Sequence, residues 1–207
     1  LLAGLEHRVE GTLCSDLWWG YAQAKTVTLS FWVKSSVTGI YCVSLRNSGN
    51  TRVYLAEYTI SSANTWEQKT ITVPGSTLGT STWLTSTSVG LRLGFSLGDG
   101  TTYHGSAGTW LTTSERCTAN QTSFITSYAG TTQTFLLTGV QLEIGDTATD
   151  FEFRSRTEEL ALCRRYCQKS YADGVAPGNS TEANIICGLS PSSFASTQCT
   201  ADASKRE

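Results

Sequence analysis

The richest chemical resource of the chain is aromatic: six Trp, eight Tyr and seven Phe among 207 residues. A sugar ring presents C–H faces that lie flat on an indole or phenol, and its hydroxyls then reach nearby polar side chains. An exposed Trp or Tyr beside Asn, Gln, Arg or Asp can therefore hold a glycan. Trp18 and Trp19 stand next to Asp16 and Gln23. Tyr103 follows Asp99, and Trp110 is close behind. These four, Trp18, Trp19, Tyr103 and Trp110, are the candidate ligand-binding residues, because they lie in turn-rich stretches without hydrophobic alternation. Trp83 sits in a Ser/Thr-rich loop and Trp32 on the polar face of its strand. For any single one, plugging a sandwich edge or meeting a partner chain is the first expectation. That one of the set serves a glycan stands beside it.

Other chemistry finds less support. Glycan cleavage would need paired carboxylates. Asp99, Glu115, Glu143, Asp146, Asp150 and Glu152 are present, but no spacing singles out a pair. Glu143 and Asp146 flank a tight turn and have the oxygen ligands for a structural Ca²⁺, although solvated turn acids are the plainer reading. Cys117 and His104 are the one conceivable thiol–imidazole couple, and nothing in the sequence sets one near the other. Gly98-Asp99-Gly100 is a hairpin turn, not a phosphate loop, because no helix follows it. No catalytic residue, metal ligand or cofactor is expected.

Composition narrows the class. The chain is 39% hydrophobic and only 15% charged, with a net charge of −2 and a pI near 5.7. It carries no basic field for a phosphate backbone, so nucleic acid is not an expected partner. No apolar run approaches the ~20 residues of a membrane helix, so membrane insertion is not expected. The first residues, LLAGLEHRVEG, lack the features of a signal peptide. Met is absent, even at position 1, which reads most simply as an internal or processed piece of a longer polypeptide. The seven cysteines are scattered without a CxxC, as expected of small core residues made in a reducing compartment.

The elements that must position these residues are strands. Val27, Leu29, Phe31 and Val33 share one face, opposite Thr28, Ser30, Trp32 and Lys34. Tyr54, Ala56, Tyr58 and Ile60 share another, and Leu91, Leu93, Phe95 and Leu97 a third. Leu5 to Leu13 alternates as a first strand. Ile40 to Arg46 and Trp66 to Val73 add two more, and Asn47-Ser48-Gly49-Asn50 marks a hairpin. Gly75 to Ser88 is a long Ser/Thr/Gly loop, of the kind that folds back on its domain or lines a site. In the closing strand Leu136, Val140, Leu142 and Ile144 share a parity. Val27, Leu29, Phe31, Leu91, Leu93, Phe95, Val140 and Leu142 are the expected core. Roughly eight to ten strands with no internal helix predict an all-β, antiparallel jelly-roll β-sandwich over residues 1–154. Ser155 and Glu158 stand at capping-box spacing and open a linking α-helix over 155–173, ended by Asp173-Gly174. Its Leu160, Cys163, Tyr166, Cys167 and Tyr171 approach the spacing of a short three-fold seam, and packing on a sandwich serves as well. Residues 174–207 read as the start of a second β domain, with strands at Asn184–Leu189 and Ser193–Cys199.

Three segments carry a resemblance: VTLSFWVKSSVTGIY (27–41), NTWEQKTITVPG (64–75) and FLLTGVQLEIGDTATDFEFRSRTEELALCRRYCQKSY (135–171). Their closing signature is Leu142-Glu143-Ile144-Gly145, Ala148-Thr149, Phe151-Glu152-Phe153-Arg154 and Glu159-Leu160-Ala161-Leu162-Cys163-Arg164-Arg165-Tyr166. Together they resemble a recurrent module of bacteriophage tail-fibre and related virion proteins, whose sandwich is similar to jelly-roll carbohydrate-binding modules. The resemblance implies a virion location and a homotrimer, followed in many cases by a further β domain. It also implies contact with other virion proteins, and host surface polysaccharide as the partner of a receptor-binding member. It implies no catalytic residues. A purely structural role as fibre joint, collar or capsid decoration is the alternative.

Overall fold

A computed structural model of the chain describes residues 3–79, 82–124 and 132–166. By its internal contacts the chain divides into Leu1–Glu152 and Phe153–Glu207.

The first unit is all-β, built as two antiparallel sheets. Its strands are β1 (Gly4–Glu10), β2 (Val27–Ser35), β3 (Gly39–Asn47), β4 (Val53–Ile60), β5 (Glu67–Val73), β6 (Val89–Ser96), β7 (Trp110–Leu111) and β8 (Phe135–Ile144). One sheet has the order β1-β6-β3-β4-β7 and the other β5-β2-β8. The apolar faces legible in the sequence meet between them. Val27, Leu29, Phe31 and Val33 of β2 are buried against Tyr41, Val43 and Leu45 of β3, Tyr54 and Tyr58 of β4, and Leu91, Leu93 and Phe95 of β6. Each such side chain contributes about 1.5–3 kcal/mol by leaving water. Phe31 sits at the centre, edge-on to both Tyr58 and Phe95 at 5.1 Å between centroids.

Two expectations need correction. The unit does contain helix: a single turn, α1 (Gly11–Cys14), follows β1, and 3-10 turns form at Ser15–Leu17 and Thr101–Tyr103. The first strand therefore stops at Glu10, where Gly11 and Thr12 donate to the carbonyls of Ser88 and Ser86.

The closing strand does not keep one parity. Ser30 pairs with Gln141 but Trp32 pairs with Thr138, so Phe31 faces both Gly139 and Val140. This is a β-bulge with its glycine in the left-handed region, φ 58°. A Cβ on Gly139 would also press on Trp32 Cδ1 at 3.3 Å. The extra residue swaps the faces. Phe135 and Leu137 turn to the core with Leu142, while Leu136 opposite Lys34 turns outward and is 46% exposed. Val140 also remains exposed rather than joining the core.

The strand's exit is pinned by side chains. Glu143 accepts from Thr149, Gln141 donates to the Thr149 hydroxyl, and Glu152 N donates to Gln141 Oε1 at 2.9 Å. The second unit contains α2 (Arg156–Arg164), and its capping box forms as expected. Glu158 N donates to Ser155 Oγ at 3.3 Å, and Ser155 N donates to Glu158 Oε2 at 3.0 Å. Arg154 lies 3.5 Å from Glu159. The helix ends at Arg164, short of the expected 173, with Arg165 and Tyr166 in a turn, and the expected second β domain and positions 167–173 lie outside the described residues.

Candidate functional site

The candidate site lies where the Gly75–Ser88 stretch returns to the segment after α1. Gly20 N donates to Ser76 O at 2.6 Å, and the Trp83 indole donates to Leu78 O at 3.3 Å. That return brings Trp83 against Trp19 at 4.9 Å, edge to face, and Trp110 against Trp19 at 5.2 Å. The Trp19 indole donates to Lys25 O at 2.8 Å and the Trp110 indole to Pro74 O at 2.8 Å. The three tryptophans close this end of the sandwich, each with its one polar atom satisfied.

Trp19 is therefore a plug, 4% exposed, not a platform. Trp110, on the edge strand β7, is partly buried against Tyr54 and the other two indoles. Its N–H serves the backbone. Both residues lie outside alternating runs because they belong to the end of the core rather than to a strand face.

Trp18 has the opposite fate. It is 51% exposed and its backbone is left-handed, φ 54°. For a bulky residue this conformation costs roughly 1–2 kcal/mol. The left-handed turn at Trp18 sends two adjacent indoles in opposite directions, one into the core and one to water. Tyr21, 46% exposed, meets Trp18 edge-on at 6.0 Å. The two border a cavity of about 300 Å³ together with Asp16, Ser15, Trp83 and Leu84. Aromatic faces beside an exposed carboxylate can stack a sugar ring and accept from its hydroxyls.

Tyr103 stands elsewhere, in the 97–124 segment that covers the outer face of the five-stranded sheet. That segment is tied down by Thr122 N to Ile40 O at 2.7 Å, by Gln121 to the Ser96 hydroxyl at 3.0 Å, and by a bond from the Thr118 hydroxyl to Glu57. Under it lies a second, small apolar cluster of Cys42, Val53, Leu55 and Cys117. Tyr103 is partly buried. Its carbonyl accepts from Arg116 N at 2.9 Å and its ring lies 5.5 Å from the Arg116 guanidinium carbon. The structure thus separates Tyr103 from Trp18 and gives it a supporting contact.

His104 and Cys117, unplaced by sequence, are neighbours across an isolated bridge. They do not form an activated couple. The Cys117 thiol is buried, and burial followed by the charge of Asp99 pushes its pKa up. The His104 ring meets Asp99 O at 3.2 Å. Among the described residues no group of three His, Cys, Asp or Glu side chains is placed to hold a metal ion. Glu143 is engaged by Thr149 rather than facing Asp146 across an open turn. Among the described residues no helix is long and apolar enough to cross a membrane.

Sequence reasoning missed the arginine cluster. Glu6 of β1 accepts from Arg8, Arg46 and Arg92. Burial pushes the Glu6 carboxyl up, but the hydrogen bonds and charges of those arginines outweigh it and hold it at about 2. The available signal was parity: Arg46 and Arg92 occupy outward positions in strands whose inward positions include Tyr41, Val43 and Leu45 and Leu91, Leu93 and Phe95.

In comparisons with known proteins, no family model, curated protein or solved structure matches this chain.

Proposed function

We propose that this chain is a module of a phage virion fibre or receptor-binding protein that binds a host surface glycan without cleaving it. The carrying observation is Trp18, held exposed beside Tyr21 and Asp16 at a cavity of about 300 Å³ by a backbone conformation that costs free energy. Strained backbone is retained where the surroundings and function require it. The 142–166 signature supports the virion assignment by resemblance. The jelly-roll wiring of the two sheets, a homotrimeric state, a second β domain after α2 and contacts with other virion proteins belong to the same reading. Adsorption of the parent particle to host cells tests it. Trp18→Ala and Tyr21→Ala should reduce adsorption while leaving the fold intact, and unchanged adsorption in both refutes it.

A different feature favours the alternative, a fibre joint, collar or capsid decoration with no ligand of its own. Leu5 and Val140 are exposed and border an apolar groove of about 340 Å³ with Leu93, Phe95 and Leu137. A neighbouring copy of the chain would cover it. Loss of the oligomer in Leu5→Asp, with adsorption independent of Trp18, is the outcome that favours this reading.

A further inference from the structure

The outer face of the five-stranded sheet carries a second cavity, of about 160 Å³, beside the 97–124 segment. Its floor is Ser44 of β3 and Gly94 of β6. Any side chain at 94 would fill it, since a Cβ there would lie 2.7 Å from Ser44 Oγ. Its polar walls are Arg46, Arg116, Asp99 and Glu6.

The charges do not balance. The single carboxylate of Glu6 serves three arginines, at 2.9 Å to Arg8, 2.5 Å to Arg46 and 2.9 Å to Arg92. Asp99 is engaged by Ala3 N and the Ser96 hydroxyl, both at 3.1 Å. Arg116 has no ion-pair partner among the described residues and is steadied only by its backbone and the Tyr103 ring. The Arg46 side chain is 3% exposed, and its Nε is buried without a hydrogen bond, as is Nε of Arg116. Ser44 is 2% exposed and lines the cavity floor. A buried donor left unmade costs about 1–3 kcal/mol, and the two guanidinium groups that carry these donors, Arg46 and Arg116, both border the cavity.

We propose that this cavity binds a carboxylate-bearing sugar, the carboxylate between Arg46 and Arg116 and the ring hydroxyls against Ser44 and Asp99. The inference rests on the glycan-binding reading above and names the class of sugar: an acidic residue of a surface polysaccharide. Guanidinium groups match a carboxylate geometrically and remain charged at any physiological pH. The volume suits one sugar residue rather than a chain. The Trp18 cavity is chemically different, since its lining carries the Asp16 carboxylate and no Lys or Arg to offset it.

Calorimetric titration of the full chain with glucuronate, glucose and acetate at low salt tests this. The expected result is saturable one-site binding of glucuronate, with glucose and acetate each at least about tenfold weaker. Arg116→Ala should lose about ten- to a hundredfold in affinity, and Arg116→Lys should recover part of it. Ser44→Ala, which removes no charge, should weaken glucuronate and leave acetate unchanged. Melting temperature should hold in both Arg116 variants, because Arg116 lies on the covering segment. Added salt should weaken binding. Absence of glucuronate binding, binding unchanged in Arg116→Ala, or acetate equal to glucuronate would each overturn the assignment. Trp18→Ala should leave glucuronate binding intact. Failure here with adsorption still dependent on Trp18 removes the acidic-sugar site alone, whereas loss of both dependences removes glycan binding altogether.

Discussion

Glu143 accepts two hydrogen bonds from one residue, Thr149: from its backbone nitrogen at 2.8 Å and from its hydroxyl at 2.8 Å. The acidic position of the Leu-Glu-x-Gly step and the Thr of the Ala-Thr step are thus the two halves of one lock. The lock folds the connector back on the end of β8. Those bonds, the backbone one first, hold the Glu143 carboxyl below its ordinary range. A lowered folded-state pKa stabilises above the ordinary carboxylate value and loses that stabilisation as pH falls through the folded value. Glu143→Gln and Thr149→Val should both speed amide exchange over residues 145–152 at neutral pH. In the unmutated chain the protection factor over the same residues, taken against the intrinsic exchange rate at each pH, should fall as the medium becomes acidic. Protection that is indifferent to both substitutions would show that the backbone turn holds itself.

Glu6 makes a second acid-sensitive tie, on the opposite sheet. Its carboxyl is held at about 2 against an unfolded value of 4.5. The sign is the same. The contribution is complete above about pH 4.5 and drains away between there and about pH 2. Glu6 is largely solvated, so screening reduces what the shift alone suggests. The greater loss in Glu6→Gln is at Arg46, whose charge keeps only Asn50 as a hydrogen-bond partner, at 2.7 Å. Denaturant melts at pH 7 should show Glu6→Gln destabilised by about 1–3 kcal/mol. The gap between the two proteins should narrow at about pH 3.

The cysteines should sort by burial. Cys14, Cys42, Cys117 and Cys163 are free thiols. Burial, and after it the neighbouring Cys117, pushes the Cys42 thiol up to about 12, and burial raises Cys14 to about 11. The thiolate is the reactive form. Under native conditions an alkylating agent should label exposed Cys163 first, Cys14 slowly, and Cys42 and Cys117 only on unfolding. Peptide mass spectrometry over a time course reads this directly. Rapid native labelling of Cys42 would mean that the 97–124 segment does not stay on the sheet.

Much of the fold was legible because alternation reports burial wherever a strand runs straight. The faces of β2, β4 and β6 follow from parity alone, and the capping box of α2 from two residues. The signal failed where geometry breaks period. At Gly139 one inserted residue exchanges Leu136 for Leu137, and apolar residues on both parities gave no warning. Cysteine 117, Tyr103 and Arg116 belong to a segment with almost no regular structure. Its placement depends on bonds to β3, β4 and β6 across tens of residues, which no local pattern encodes. The arginine cavity was hidden for the same reason: Glu6, Arg46, Arg92 and Arg116 come from four separate parts of the chain.

Trp18 and Trp19 give the sharpest test, because adjacent residues of one type have opposite surroundings. Trp19 is 4% exposed, ringed by Trp83 and Trp110, and its indole N–H is bonded. Trp19→Ala leaves a cavity at the closed end of the sandwich and should cost about 3–5 kcal/mol of stability. Any loss of adsorption it causes should follow the loss of fold. Trp18 is half exposed, so Trp18→Ala removes little buried surface and should barely move the melting temperature. Trp18→Gly goes further. At φ 54° glycine carries no steric penalty, so that variant should be as stable as the unmutated chain or up to about 1 kcal/mol more stable, even after the entropy glycine adds to the unfolded state. If Trp18 stacks a sugar, both substitutions should weaken glycan or cell binding by about 1–3 kcal/mol, the scale of ring stacking on an aromatic side chain. A residue whose removal raises stability and lowers binding is retained for binding. Adsorption and melting measured on the same three variants decide the matter. Should Trp18→Gly keep full adsorption, the glycan platform at this position is wrong and the structural reading of the module stands in its place.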